Sequence, residues 1–215
     1  MVNDLCEKLK NSLLSLDMAA TIAQVNSVVN GEAAVAVQDA VNATSEALEV
    51  VGKRFQDGDW FLTELVYSGE IAKAVMELLG PLMAAGGSRQ LGTIVVGTVA
   101  GDLHDLGKNI FTNYAKSAGF EIIDLGIDVP TEKFPHAVDL HKPLALGISC
   151  LLTITAGEVG KVIEELKKRG VRDKVRIIIG GAALTEKFSL EVGADAFAPD
   201  AITGTDIVKG WSTTS

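Results

Sequence analysis

The sequence predicts an α/β protein in which an N-terminal four-helix bundle precedes a doubly wound, five-stranded parallel sheet of the flavodoxin-like (Rossmann-like) type. Two observations support this. Before residue 85, apolar residues recur every three or four positions, as on one face of an α-helix. Beyond residue 90, continuous runs of Val, Ile and Leu alternate with helical patterns, which indicates strands buried on both faces. We expect two domains, a helical bundle cap over 1–86 and an α/β domain over 90–215.

Four amphipathic helices are predicted before residue 85. Their apolar positions are Leu5, Leu9, Leu13 and Leu16; Ile22, Val25, Val28 and Val29; Val35, Val41, Leu48 and Val51; and Phe61, Leu65, Ile71, Val75, Leu78 and Leu79. Asn30-Gly31 is expected to stop the second helix, and the third ends near Asp57-Gly58. Asp59 can cap a fourth helix that starts around Trp60. Short connections between such helices favour a compact bundle, and the small residues of 84–88 mark its boundary.

Five strand–helix pairs are predicted beyond that boundary. They cover 91–99 and 107–118, 121–125 and 131–141, 144–149 and 156–170, 175–181 and 184–192, and 194–198 and 201–211. In a doubly wound sheet, ligands lie outside the carboxyl ends of the strands. The residues that follow each strand are therefore the candidate site.

The composition argues against several classes of function. The 215 residues have a net charge of −9, whereas a nucleic-acid binder normally presents a basic face. No apolar stretch reaches the roughly 18 residues of a membrane span, and no basic segment followed by an apolar run suggests a secretory signal. The two cysteines, Cys6 and Cys150, lie far apart and fit a reducing compartment. We expect a cytoplasmic protein that contacts neither nucleic acid nor membrane.

The loop after the first strand contains the chemically richest segment, Gly101-Asp102-Leu103-His104-Asp105-Leu106-Gly107. An imidazole can ligate a metal through one nitrogen when an acceptor holds the other, and Asp102 lies two residues from His104. Gly101 and Gly107 lack a Cβ, so backbone or a planar ligand can approach closely. The alternative is that His104 is an ordinary hydrogen-bonded surface histidine.

Hydroxyl groups follow the third strand at alternating positions, Ser149, Thr153 and Thr155, with Leu151 between them. They could line a pocket or extend a hydrogen-bond chain to Asp102; alternatively, they cap the next helix.

Small residues follow the last two strands. Gly180-Gly181-Ala182-Ala183 leaves a deep, narrow gap beside the sheet, although a plain tight turn would also use these residues. The fifth strand runs into 196–200, which places Ala198 at the same ligand-facing edge.

Three segments in this order resemble a known signature. Asp102-x-His104-x-x-Gly107, Ser149-x-Leu151 and Gly180-Gly181 look like the motifs of cobalamin-binding domains that hold the cofactor base-off and His-on. The stretch Phe61-Leu62-Thr63-Glu64-Leu65, with a helix into Leu78-Leu79-Gly80-Pro81-Leu82, resembles the helical cap of methionine synthase and of corrinoid proteins. GTVAGDLHDLGKNIF and IGGAALTEKF are most similar to corrinoid proteins of anaerobic methanol, methylamine and methoxy-aromatic methyltransferase systems. Thr63 departs from the Pro of many caps, so we expect the local start of that helix to differ from theirs.

The resemblance implies residue roles. His104 would be the lower axial ligand to cobalt and the metal-binding residue, and with Asp102 it would form the catalytic pair. Ser149 or Thr155 would act as a polar relay, the nucleotide tail would enter the gap at 180–181, and Phe61 and Leu65 would cap the upper face. The cofactor-binding residues expected in all are Gly101, Asp102, His104, Asp105, Leu106, Gly107, Ser149, Leu151, Thr153, Thr155, Gly180, Gly181, Ala182, Ala198, Phe61 and Leu65.

The same resemblance implies a corrinoid methyl carrier, a non-catalytic subunit whose cobalt alternates between cob(I)alamin and methylcobalamin. Its partners would be a substrate-specific methyltransferase, a second methyltransferase that passes the methyl group to a thiol or tetrahydrofolate-type acceptor, and a reductive activator of oxidised corrinoid. The donor, whether methanol, methylamine, betaine or a methoxy-aromatic, is set by the partner. The alternatives are a cobalamin-binding isomerase (mutase) subunit, a cobalamin-dependent sensor, and a receiver-like module without a cofactor. A sensor should add a basic DNA-binding module, for which the chain has no space.

Overall fold

The structure is a computed structural model that describes residues 2–85 and 91–213. The chain folds into two compact units. The first contains the helices before residue 86 together with 116–118, and the second contains the sheet and its helices. The segment 86–88 and the two domain limits, 86 and 90, lie outside the described residues, so the boundary stays a prediction.

The first unit consists of four helices: α1 (Val2–Leu14), α2 (Met18–Val29), α3 (Val37–Gln56) and α4 (Leu62–Ala85). The predicted apolar faces form its core, whose buried members include Leu9, Val25, Val28, Ala40, Val41, Ala43, Val75 and Leu79. Hydrophobic burial on these faces, rather than helix propensity, is what stabilises such short helices. The prediction of four helices is confirmed.

Helix ends differ from the prediction in three places. Leu16 has φ 58° and lies beyond α1, and Val35 lies before α3. Helix α4 starts two residues later than expected, so Asp59 is not its cap. Instead, the carboxylate of Glu64 accepts a hydrogen bond from the Phe61 backbone N–H at 3.0 Å, as the glutamate of a capping box does.

The second unit alternates strands and helices in the predicted order. Its elements are β1 (Thr93–Thr98), α5 (Leu106–Ser117), β2 (Glu121–Asp124), α6 (Lys133–His141), β3 (Ala145–Ser149), α7 (Ala156–Lys168), β4 (Arg176–Gly180), α8 (Glu186–Val192), β5 (Ala196–Ala198) and α9 (Ala201–Ser212). Short 3-10 turns cover Thr153–Thr155 and Arg172–Lys174. The strands are all parallel, in the order β2-β1-β3-β4-β5, which confirms the flavodoxin-like sheet.

The sheet register brings the strand ends together. Thr98 at the end of β1 pairs with Ser149 at the end of β3, and Ser149 pairs with Gly180 at the end of β4. The three loops that carry the predicted motifs therefore leave the sheet side by side. Strand residues such as Val95, Leu146 and Ile177 are fully buried, so the edge rests on a rigid core.

Membrane insertion through a helix finds no support in this fold. Within 2–85 and 91–213, no helix is both long enough and apolar enough to cross a bilayer.

Candidate functional site

A buried carboxylate organises the loop after β1. Asp102 is fully buried, and its Oδ1 lies 2.7 Å from Nδ1 of His104 and accepts the His104 backbone N–H at 3.0 Å. The imidazole itself is half exposed. Because an ionised carboxylate only accepts hydrogen bonds, it holds the proton on Nδ1 and leaves Nε2 with a lone pair for a metal.

The loop after β3 supplies the other partners of Asp102. Its Oδ2 accepts the backbone N–H groups of Leu151 at 2.7 Å and Leu152 at 3.1 Å, and the hydroxyl of Thr155 at 3.4 Å. Burial alone would raise the pKa of Asp102, but the hydrogen bonds donated by His104, Leu151 and Leu152 outweigh it and lower the pKa to about 2. The carboxylate thus stays ionised at neutral pH.

Thr155, and not Ser149, is the hydroxyl placed against Asp102. Its Oγ1 also donates to the Leu152 carbonyl at 3.0 Å and lies 3.4 Å from Sγ of Cys150. Thr155 occupies the position before α7, yet its side chain makes no capping hydrogen bond. Burial raises the pKa of the Cys150 thiol, so this neighbour is a neutral one. The interpretation of these hydroxyls as helix caps is wrong for Thr155, because its oxygen accepts no backbone N–H of α7 and lies instead between the Leu152 carbonyl and the Asp102 carboxylate.

The loop after β2 braces the histidine loop through Asp128. The Asp128 carboxylate accepts the Gly101 backbone N–H at 2.7 Å, and its own N–H donates to the Asp102 carbonyl at 3.0 Å. Its backbone is left-handed, with φ 49°, which is unfavourable for a residue with a Cβ. On the other side, the Thr98 hydroxyl donates to the His104 carbonyl at 3.0 Å. The loop that carries His104 is therefore held by the end of β1 and by the loops after β2 and β3.

At this point His104 presents Nε2 as one nitrogen ligand for a metal. Among the described residues, no group of three or more His, Cys, Asp or Glu side chains could hold an ion. A single histidine ligand is compatible with a metal that a macrocycle holds.

A cleft of about 150 Å³ opens between the ends of β1, β3, β4 and β5. Most of its lining is apolar or small: Val96, Gly107, Lys108, Phe111, Gly147, Ile148, Ser149, Ile178, Ile179, Gly180, Gly181, Ala198, Pro199, Asp200 and Ala201. Gly181 has φ +119°, and a Cβ there would lie 2.1 Å from the Cys150 carbonyl oxygen. A Cβ on Gly180 would lie 3.2 Å from the carbonyl oxygen of Ala198. The loops after β3, β4 and β5 approach this closely only because both residues are glycine.

The predicted site residues fall into separate groups. The Asp102 network contains Gly101, His104, Leu151 and Thr155, and the cleft contains Gly107, Ser149, Gly180, Gly181 and Ala198. Asp105 accepts a hydrogen bond from Asn109, and Leu106 begins α5 with its side chain exposed. Thr153 and Ala182 are exposed on their loops and do not line the cleft. Phe61, exposed, and Leu65, buried, belong to the first unit, so their predicted role stays a prediction.

Sequence reasoning did not find Asp128, Leu152, Lys108, Phe111 or Asp200. One of them had a usable signal: Phe111 lies four residues after Gly107, on the same helical face, and so could have been placed in the cleft. Leu152 acts through its backbone N–H and Asp128 from another loop, so neither could be identified from side-chain spacing.

Comparison with known proteins places these features in one family. Two family models match the chain, each described as a B12 binding domain, one over residues 92–206 and the other over residues 5–79. The first alone covers more than half of the chain. A match of this kind contradicts the alternative of a receiver-like module without a cofactor.

Related proteins are corrinoid proteins. Trimethylamine corrinoid protein 2 of Methanosarcina mazei is 34% identical over 92% of this chain and 91% of its own length. Dimethylamine corrinoid protein 3 of the same organism is 41% identical over 70% of this chain and 91% of its own length. Among solved structures, a cobalamin-binding protein of Desulfitobacterium hafniense is 36% identical and superposes with a TM-score of 0.79 over 98% of this chain and 99% of that one. The methanol:cobalamin methyltransferase complex of Methanosarcina barkeri matches with a TM-score of 0.79 over 100% of this chain and 82% of its own, at 22% identity, and shows the shared fold.

Proposed function

This chain belongs to the B12-binding family of corrinoid proteins, and on that premise we propose that it is a methyl carrier that receives a methyl group from one methyltransferase and presents it to another. The observation that supports this best is the exposed imidazole of His104, whose Nδ1 is bound to a fully buried carboxylate. A histidine held in this way is a metal ligand of fixed tautomer and orientation.

The site residues fit a corrinoid. A corrin macrocycle would bring nitrogen ligands of its own to the cobalt, and Nε2 of His104 would hold the metal from the protein. The space beside Gly107 is open, with no atom within 4 Å of where a Cβ would be. The cleft at Gly180 and Gly181 offers a channel for the nucleotide tail that His104 would displace from the cobalt.

The residues around His104 orient the imidazole and set how strongly it can bind the cobalt. When bound, the corrinoid supplies a cobalt centre that accepts and releases a methyl group. Asp102 keeps the Nδ1 proton in place, so Nε2 stays basic enough to ligate. Leu151, Leu152 and Thr155 keep Asp102 from turning, since each hydrogen bond restrains the same carboxylate oxygen. Phe61 and Leu65 of the first unit are proposed to shield the opposite face of the corrin.

The chain acts with partners. Since its relatives are named for trimethylamine and dimethylamine, we infer that one partner is a methyltransferase for a methylated amine. A second methyltransferase would take the methyl group to a thiol or a tetrahydrofolate-type acceptor, and an activator would reduce oxidised corrinoid. A cytoplasmic location is supported by Cys6 and Cys150, which are both free thiols.

The test compares two histidines. Apo-protein is mixed with hydroxocobalamin and desalted, and its visible spectrum is recorded for wild type, His104→Ala and His136→Ala. His136 is exposed on α6 and does not line the cleft, and it is the matched control. We expect wild type and His136→Ala to retain about one corrinoid per chain in the base-off, His-on form, and His104→Ala to lose that spectrum. An unchanged spectrum in His104→Ala would refute the assignment of the axial ligand.

A further inference from the structure

Phe111 is the one aromatic side chain among the residues that line the cleft. It lies on α5, one turn after Gly107, and is partly buried. A ring at the wall of a narrow cleft determines both the width of the cleft and which flat groups it can hold.

Gly204 makes room for this ring, and Gly147 lies within ordinary contact range of it. A Cβ on Gly204 of α9 would lie 3.3 Å from Cδ2 and 3.4 Å from Cε2 of Phe111, and a Cβ on Gly147 of β3 would lie 3.8 Å from Cε1. The ring thus lies in contact range of a strand and a helix that both lack a side chain at that point. Packing against these backbones restrains the Phe111 ring. A ligand that contacts the ring therefore loses little conformational entropy of this side chain on binding.

Both charged residues of the cleft already have hydrogen-bond partners within the protein. Lys108 is nearly buried, and its Nζ donates to Asp124 at 2.5 Å and to Asn109 at 3.0 Å. The carboxylate of Asp200 accepts the backbone N–H of Thr203 at 2.8 Å and its hydroxyl at 2.9 Å. A group that enters the cleft therefore finds mainly apolar surface, and any donor or acceptor that it buries there without a partner costs free energy.

We propose that Phe111 is the specificity-determining residue of this cleft, and that its ring makes the protein select corrinoids whose nucleotide tail ends in a benzimidazole base, which carries fewer polar atoms than a purine. A purine base carries ring nitrogens and an amino group that this lining satisfies poorly, and a corrinoid without a tail gains nothing from the cleft. The inference rests on the proposed function, because it requires a corrinoid bound at His104.

The test is a set of dissociation constants for apo-protein with three corrinoids: cobalamin, its adenine-based analogue, and cobinamide, which lacks the nucleotide tail. Each is measured by spectral titration for wild type, Phe111→Leu, Phe111→Ala and Phe188→Leu. Phe188 is a partly buried phenylalanine of α8 that packs on the main core and does not line the cleft, so it controls for loss of packing. Thermal unfolding of the apo-proteins shows that each variant is folded, and Phe111→Leu preserves apolar volume should the alanine variant unfold.

We expect wild type to prefer cobalamin over both other ligands. Loss of a stacking ring costs about 1–3 kcal/mol per base, so Phe111→Ala should weaken cobalamin binding by about 5-fold or more and leave cobinamide binding unchanged. Its preference for cobalamin over the adenine analogue should fall as well, and Phe188→Leu should keep all three wild-type ratios.

Three results would overturn the inference, and they differ in what else they affect. Wild-type ratios in both Phe111 variants would mean that the tail lies in the cleft without using the ring, and the carrier function would stand. If Phe111→Ala weakened cobinamide binding as much as cobalamin binding, the ring would not act on the tail, while corrinoid binding would stand. Binding of no corrinoid at all would refute the proposed function itself.

Discussion

The two ends of the site are built by opposite means. At the histidine end, one buried carboxylate collects hydrogen bonds from His104, Leu151, Leu152 and Thr155. At the cleft end, the decisive feature is the absence of side chains, since a Cβ on Gly181 would overlap the Cys150 carbonyl oxygen. Polar contacts define the first end and close backbone packing defines the second.

This difference determines how each end should respond to change. The hydrogen-bond network around Asp102 can be weakened stepwise, because the loss of each hydrogen bond lowers the free energy of unfolding by a limited amount. A Cβ on Gly181, by contrast, would lie 2.1 Å from a backbone oxygen, which cannot move aside as a flexible side chain does. Any side chain at Gly181 should therefore be strongly destabilising. The strength of the hydrogen bonding at the histidine end should therefore be adjustable by substitution, whereas Gly181 at the cleft end should tolerate no added Cβ.

The largest effect is expected at the cleft end. Gly181→Ala would combine a left-handed φ of +119° with overlap on the Cys150 carbonyl, so we expect the free energy of unfolding to fall by more than about 3 kcal/mol. Gly170 is the matched control, because its φ is +68° and nothing lies within 4 Å of its Cβ position. Gly170→Ala should cost only about 1 kcal/mol. Urea unfolding of the apo-proteins measures both, and equal losses would show that the close approach to Cys150 is unimportant.

An intermediate effect is expected at Asp102. In Asp102→Asn, the amide nitrogen must face donors whichever way it is turned, because both carboxylate oxygens accept N–H groups. We expect the free energy of unfolding to fall by about 2–3 kcal/mol, since hydrogen bonds to a charged group are replaced by a repulsive contact. Asp105→Asn, on the exposed neighbour whose carboxylate accepts from Asn109, should stay within about 0.5 kcal/mol of wild type. The same urea titrations apply, and a loss at Asp102 no larger than that at Asp105 would contradict the proposed network.

The smallest effect is expected at Asp128, which braces the histidine loop from outside. Asp128→Gly keeps the left-handed backbone without strain but removes the acceptor for the Gly101 N–H. We therefore expect the free energy of unfolding to fall by about 1 kcal/mol. Asp128→Asn keeps both an acceptor oxygen and tolerance of that backbone, and it should match wild type. Hydrogen exchange at the Gly101 amide gives the local measurement, with faster exchange in the glycine variant. Protection that is the same in all three proteins would mean that Asp128 does not restrain the loop.

Much of the architecture could be predicted from the sequence. Periodicity of three to four residues placed α1 to α4, and buried runs of Val, Ile and Leu placed the five strands. Helix ends were less predictable, because several nearby residues can each supply a capping side chain. Asp59 looked like a cap, but Glu64 supplies the carboxylate at the start of α4. The signal for a cap lies in a few residues, whereas the signal for an amphipathic helix is summed over many.

The sequence by itself determined the two-unit order, the parallel sheet, and the identity of His104 and Asp102 as a pair only two residues apart. Only the tertiary structure decided that Thr155 rather than Ser149 lies against that pair, that Asp128 braces the loop, and that Phe111 stands in the cleft. The physical reason is distance along the chain. A pair two residues apart is brought together by local geometry, whereas contacts between loops depend on the sheet register that sets Thr98, Ser149 and Gly180 side by side.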